Sequence, residues 1–245
     1  MRTVAECTCS AVRAGRIGAS TKQIRTGDIT LDSTAIQNFY PILATVAAYL
    51  VGSLSFAVIV SRVMGLNDPR TYGSKNPGAT NVLRSGSKAA AITTLLLDAV
   101  KGLVPVLLVK FYGKPYGLEE GTVAMVGLAA FVGHLAPIFF KFQGGKGVAT
   151  AFGVLFGVSW VLGLATGATW LIIAYFFRYS SLASLVSAVF APVFYLMGDG
   201  MAWFMDKSQM LALCVMSMLL IYRHAENISR LVKGNESKLG AKKKA

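Results

Sequence analysis

The chain has 245 residues, 54% of them hydrophobic and 14% charged, where soluble domains carry roughly 25% charge. That excludes a water-soluble enzyme and predicts an all-α integral membrane protein, because only helices and closed barrels satisfy their backbone in lipid. The net charge of +13 does not point to nucleic acid, and Cys7, Cys9 and Cys214 form neither a disulfide framework nor a zinc pattern.

Residues 1–34 are polar and basic, with Arg2, Arg13, Arg16, Lys22 and Arg25. They lack the continuous apolar stretch of roughly 7–15 residues that a signal peptide needs. They read as a disordered leader, and a start of translation assigned too far upstream is one account of them. Residues 35–230 form a membrane domain and 231–245 a basic tail.

Apolar runs predict a bundle of seven transmembrane helices, over 36–64, 88–111, 121–140, 147–163, 164–177, 181–198 and 208–222. Gly163, Ala165 and Gly167 mark the turn between the fourth and fifth. Gly127, Ala129, Ala130 and Gly133 suit close helix packing. The loops and tail on one face hold fifteen Lys and Arg, against Lys114 and Lys207 on the other beside the leader. Glu119, Glu120, Asp199 and Asp206 lie on that other side. This asymmetry predicts a cytoplasmic C-terminus and an N-terminus outside.

After the first span comes DPRTYGSKNPGATNVLR, residues 68–84. Its cations (Arg70, Lys75, Arg84), its hydroxyl and amide side chains (Ser74, Asn76, Thr80, Asn81) and its glycines are all donors to an oxyanion. In span two, Asp98 and Lys101 stand at i, i+3 and read as a local ion pair. His134 in span three reads as a hydrogen-bonded packing residue. Gly144-Gly145-Lys146-Gly147 opens span four and offers backbone N–H groups beside one ammonium. It is not a P-loop, since Phe140 occupies the first glycine position and Gly147 the Ser/Thr position. Arg178-Tyr179-Ser180-Ser181 follows span five. After span seven, His224, Asn227 and Arg230 share one face of a continuing helix, with Glu236 and Lys238 beyond.

These elements together resemble the bacterial integral-membrane glycerol-3-phosphate acyltransferases that use acyl phosphate (the PlsY family). The matching stretches are SRVMGLNDPRTYGSKNPGATNVLR, Asp98-x-x-Lys101-Gly102, Gly133-His134, FKFQGGKGVATAFG, RYSSLAS and HAENISRLVKGNESK. The resemblance covers about residues 40–238 in order. It implies a seven-span catalytic domain in the bacterial plasma (inner) membrane with its active site in the cytoplasm. The implied reaction moves a fatty acyl group from acyl phosphate to the 1-hydroxyl of glycerol 3-phosphate, giving lysophosphatidic acid and phosphate in phospholipid synthesis. No cofactor or metal is implied. The substrates and membrane lipids would be the partners, and a soluble acyl-phosphate-forming enzyme a functional one.

That chemistry needs no protein nucleophile, because acyl phosphate is an activated anhydride; it needs two phosphates held together and one hydroxyl aimed at a carbonyl. Lys146, Ser74, His224 and Asn227 are the expected catalytic residues. Gly144, Gly145, Gly147, Thr80 and Asn76 are assigned to acyl phosphate, and Arg84, Ser181, Arg230, Asn81 and Lys238 to glycerol 3-phosphate. Which phosphate goes to which cluster stays open, as does whether His224 or a substrate phosphate is the base. A carrier for a phosphorylated solute would show polar residues at several depths and often a duplicated half. A scaffold for anionic lipid would need charge alone, without Gly, Asn and Thr at close intervals.

Overall fold

The computed structural model describes residues 33–240; the leader expected over 1–34 and the last five residues lie almost wholly outside that range. Helix α1 (Ser33–Gly52) and helix α2 (Phe56–Val63) replace the single predicted first span. They meet at a 43° bend. The break is tolerable in lipid because its polar groups find partners. Ser53 Oγ donates to the Tyr49 carbonyl at 2.8 Å, and the Leu54 carbonyl accepts from Lys101 Nζ at 2.6 Å.

A short α3 (Ala79–Leu83) lies in the loop that follows. Helix α4 (Lys88–Tyr112) is capped by Ser87, whose hydroxyl accepts from the Ala90 N–H. Its 25 residues reach about 37 Å, enough to cross a bilayer. Helix α5 (Glu120–Leu135) returns, and α6 (Val148–Val158), α7 (Trp160–Phe177), α8 (Ser180–Met197) and α9 (Lys207–Arg223) complete an antiparallel bundle. Helix α10 (Ala225–Val232) turns away from α9 by 57°.

Among the described residues four helices are long and apolar enough to cross a membrane, and six if each bent pair counts as one crossing. Exposed Leu95, Leu96, Leu108, Leu171, Ile172 and Phe176 give α4 and α7 outward faces suited to acyl chains. The chain is a multi-pass membrane protein.

The division between the fourth and fifth predicted spans is corrected. The break falls at Ser159, in extended conformation, whose hydroxyl caps α7. Gly163 and Gly167 lie inside α7. Gly163 is there for packing: a Cβ would stand 2.5 Å from the Phe156 ring. Helix α6 stops early because Lys110 Nζ takes its terminal carbonyls, Val158 at 2.5 Å and Gly157 at 3.5 Å.

Glycines set the helix spacing. A Cβ on Gly133 would meet the Tyr49 carbonyl at 2.3 Å, bringing α5 against α1 as the small residues of α5 predict. The Asp98–Lys101 pair forms at 2.8 Å inside the bundle.

Candidate active site

Irregular backbone converges where α2, α5, α7 and α9 end and α4, α6 and α8 begin. The first loop folds around Asn81. That amide donates to the Pro69 carbonyl at 2.6 Å and the Tyr72 carbonyl at 3.2 Å, and accepts from Ser74 N–H and Arg84. Asn81 is buried and its bonds go to the loop itself, so its part here is to shape the loop. Gly73 is required beside it: φ is +60° and a Cβ would lie 2.3 Å from Asn81 Oδ1. Asp68 and Arg70 pair within the loop at 2.6 Å, and the guanidinium hydrogen bond holds the carboxyl below its usual range. Ser74 and Thr80 are exposed and Asn76 is half-buried.

The second loop is clamped at Gly145. Its N–H donates to the His134 carbonyl at 3.1 Å. Its carbonyl and that of Gly144 accept from the Arg223 guanidinium at 2.9–3.2 Å. Gly147 adopts φ +85°, and a Cβ there would enter the Phe131 ring. Lys146, fixed between these glycines, donates to Asn227 Oδ1.

Asn227 leads to the centre of the site. Its Nδ2 donates to Glu236 Oε1 at 2.6 Å, Ser181 Oγ donates to the same oxygen at 2.7 Å, and Arg230 Nε donates to Oε2 at 2.7 Å. Burial works against the Glu236 charge, but the bonds from Arg230, Asn227 and Ser181 outweigh it and leave the carboxyl below its normal range. The chain beyond α10 straps the loops together. Arg84 donates to Ser237 Oγ at 3.3 Å, and Leu239 N–H donates to the Arg178 carbonyl at 2.6 Å. Lys238 turns aside, its ammonium 5.8 Å from the centre of the Tyr179 ring.

His224 is 2% exposed. Its Nδ1 lies 2.8 Å from the Leu220 carbonyl, so Nδ1 carries the proton and Nε2 is left as an acceptor. Burial lowers its pKa to about 4. Burial also lowers Lys146 to about 8, opposed by Glu236 and reinforced by Arg230 and Arg84.

Lys146, Ser181, His224, Asn227 and Arg230 therefore meet, with Arg84 joined through the strap. Ser74, Asn76 and Thr80 line the first loop and make no hydrogen bond to the Lys146 network among the described residues. Two site-forming residues escape the sequence assignment. Arg223 carries no motif beyond standing before His224, and Glu236 is one acid in a basic tail.

Comparison with known proteins gives one family. Residues 42–234 match the family model described as glycerol-3-phosphate acyltransferase. A protein of that name from Albidiferax ferrireducens is 74% identical over 208 residues, covering 85% of this chain and 93% of that one. The relative from Ralstonia pickettii is 59% identical, covering 84% and 99%. The crystal structure of PlsY (YgiH), an integral membrane glycerol 3-phosphate acyltransferase, in its glycerol 3-phosphate form has a TM-score of 0.74 at 38% identity. It covers 82% of this chain and 96% of that one. Its lysophosphatidic acid form has a TM-score of 0.73 at 36% identity, with coverages of 82% and 95%. With most of its length matched and the site residues placed in order at one end of the bundle, this chain belongs to the glycerol-3-phosphate acyltransferase family.

Proposed function

We propose that this acyltransferase takes its fatty acyl group from acyl phosphate and transfers it to the 1-hydroxyl of glycerol 3-phosphate, releasing phosphate and lysophosphatidic acid. The observation that carries this reading is the continuous path Lys146–Asn227–Glu236–Ser181/Arg230, with neutral His224 beside it. It puts the glycine-loop ammonium next to the groups suited to a second phosphate. Two phosphates held there would set donor carbonyl and acceptor hydroxyl side by side.

The hydroxyl oxygen attacks the acyl carbon, the acyl–oxygen bond to phosphate breaks, and the hydroxyl proton passes to a phosphate oxygen. Lys146 and the N–H groups at the start of α6 offset the charge that develops on the leaving phosphate. Gly144, Gly145, Gly147, Ser74, Asn76 and Thr80 belong with that donor site. Arg84, Ser181, Asn227 and Arg230 belong with glycerol 3-phosphate, Lys238 stays over Tyr179 outside that group, Asn81 shapes the first loop, and His224 Nε2 accepts a hydrogen bond from the attacking hydroxyl.

Seven crossings, with the site in the cytoplasm, complete the proposal. Lys110, near the far end of α4, meets the tip of the α6–α7 hairpin. The hairpin therefore leaves the site end and returns to it, although α6 has only 11 residues. The cation-rich face belongs on the cytoplasmic side of a bacterial inner membrane, where a soluble enzyme that forms acyl phosphate would supply the donor.

The test is purified protein in lipid bilayers with glycerol 3-phosphate and, separately, acyl phosphate or an acyl thioester. Lysophosphatidic acid and equimolar phosphate from the first donor are expected. Product from the thioester alone would overturn the donor assignment.

A further inference from the structure

We propose that His134, with the buried Asp98–Lys101 pair behind it, is a positioning residue for Lys146, acting through Gly145. The inference rests on the reading that the glycine loop holds a substrate phosphate.

Three charged or polar side chains lie inside the bundle where lipid-facing helices have no use for them. Asp98, Lys101 and His134 are all less than a tenth exposed. Lys101 Nζ stands 2.8 Å from Asp98 Oδ1 and donates to the Leu54 carbonyl at the break between α1 and α2. His134 Nδ1 is 3.6 Å from the same Asp98 oxygen, an electrostatic contact beyond ordinary hydrogen-bond reach. Ion pairs at such depth are costly and persist where they hold something in place.

What they hold is visible on the other edge of the imidazole. A Cβ on Gly145 would stand 2.2 Å from His134 Nε2 and 2.8 Å from the Pro77 carbonyl. The Gly145 N–H is taken by the His134 backbone carbonyl and the Gly145 carbonyl by Arg223. Gly145 is thus gripped on every side: ring below, first loop beside it, α9 behind. The next residue is Lys146. The direction in which its side chain leaves the loop follows from how Gly145 is seated, and the His134 ring is the floor of that seat. A packing histidine would need only to fill space between helices. This one joins the ion pair, the break in the first span, the first loop and the second loop.

Of the groups assigned to substrate, the ring underlies Gly145 of the glycine loop, so its removal should loosen the loop's hold on phosphate and leave the attack of the hydroxyl. Kinetics for both substrates would be measured in bilayers for wild type, Lys146→Ala, His134→Ala and His134→Gln. Lys146→Ala identifies the substrate whose phosphate the loop holds. His134→Ala should raise KM for that substrate by about tenfold and change kcat by less than about threefold, and KM for the other substrate should hold. His134→Gln, which refills part of the floor and keeps a polar edge, should recover at least half of the loss. If His134→Ala does not accumulate in the membrane, the same one-sided KM rise is read from His134→Gln. Unchanged KM values in both variants, or a loss of kcat with both KM values raised together, overturns the inference. If Lys146→Ala leaves kcat and both KM values at wild type, the loop does not hold a phosphate and the functional reading fails first.

Discussion

His224 Nδ1 donates to the Leu220 carbonyl, and burial lowers the ring to about 4. At pH 7 the ring is neutral by about a thousand to one, and a phosphate monoester, which titrates near 6, is the stronger base of the two. The two mechanisms differ in where activity falls on acidification. A phosphate base loses its free pair as pH drops through roughly 6, whereas His224 would lose it only near 4. The kcat/KM profile should therefore turn down near 6, and His224→Gln should keep that limb, retain several per cent of turnover and raise KM for glycerol 3-phosphate. An acid limb near 4 that vanishes in the variant makes His224 the base. Lys146 should govern the opposite limb. Its charged form exists below about 8, so anion binding and kcat/KM should fall as pH rises through that value. Lys146→Arg, charged at all these pH values, should lose the alkaline limb even if its activity is reduced. Lys146→Ala should cost about a hundredfold in rate, roughly 3 kcal/mol of transition-state binding. Activity within about threefold of wild type would remove this lysine from the reaction.

The helices are placed by backbone approach as much as by side chains. A Cβ on Gly153 of α6 would stand 1.9 Å from the Ala99 carbonyl of α4, and one on Gly102 would stand 2.3 Å from the Thr150 carbonyl. Backbone on both sides leaves no flexible atom to yield, so Gly153→Ala should cost about 1–3 kcal/mol by overpacking. Gly167 of α7 has nothing within 4 Å of where its Cβ would be; Gly167→Ala should leave stability unchanged or raise it by about 0.5–1 kcal/mol through helix propensity. Thermal unfolding in detergent tests the pair, and equal effects of the two changes would contradict the packing account. These two residues also show the limit of sequence at this scale. Along the chain Gly167 reads as a turn glycine and is an open helix position, while Gly153 carries no signal of its close contact. Nothing in Gly163 or Gly167 says that the turn lies at Ser159, because the stop depends on Lys110, 48 residues away along the chain. The break at Ser53–Ser55 escapes a hydropathy reading for the same reason: Lys101, not the local residues, satisfies the freed carbonyl.

Across the whole molecule, apolar runs, charge asymmetry and four loop motifs suffice to gather the chemistry at one end of an all-helical bundle, since each of these motifs directly flanks a span. The return of the tail is not legible. Glu236 joins Ser181 and Asn227, 55 and 9 residues away, by hydrogen bonds that carry no sequence period. Yet the site as found depends on it: three donors, Asn227, Ser181 and Arg230, are held by one carboxylate. Residues 235–240 tie together the first loop through Arg84–Ser237, the turn before α8 through Arg178–Leu239, and α10 through Arg230–Glu236. None of these bonds belongs to the apolar bundle. A chain ended after Gly234 should therefore keep its helical content and membrane insertion but lose at least about tenfold in kcat/KM, a loss like that expected when positioning groups are released. A chain ended after Gly240 should keep full activity. Glu236→Gln in the full chain should fall between them, because its carbonyl can still accept from Asn227 and Ser181 while the ion pair with Arg230 is gone. Circular dichroism, membrane fractionation and the coupled phosphate-release assay separate the outcomes. Wild-type kinetics from the chain ended after Gly234 would mean that the strap is incidental and that the four loops hold their geometry through the bundle alone.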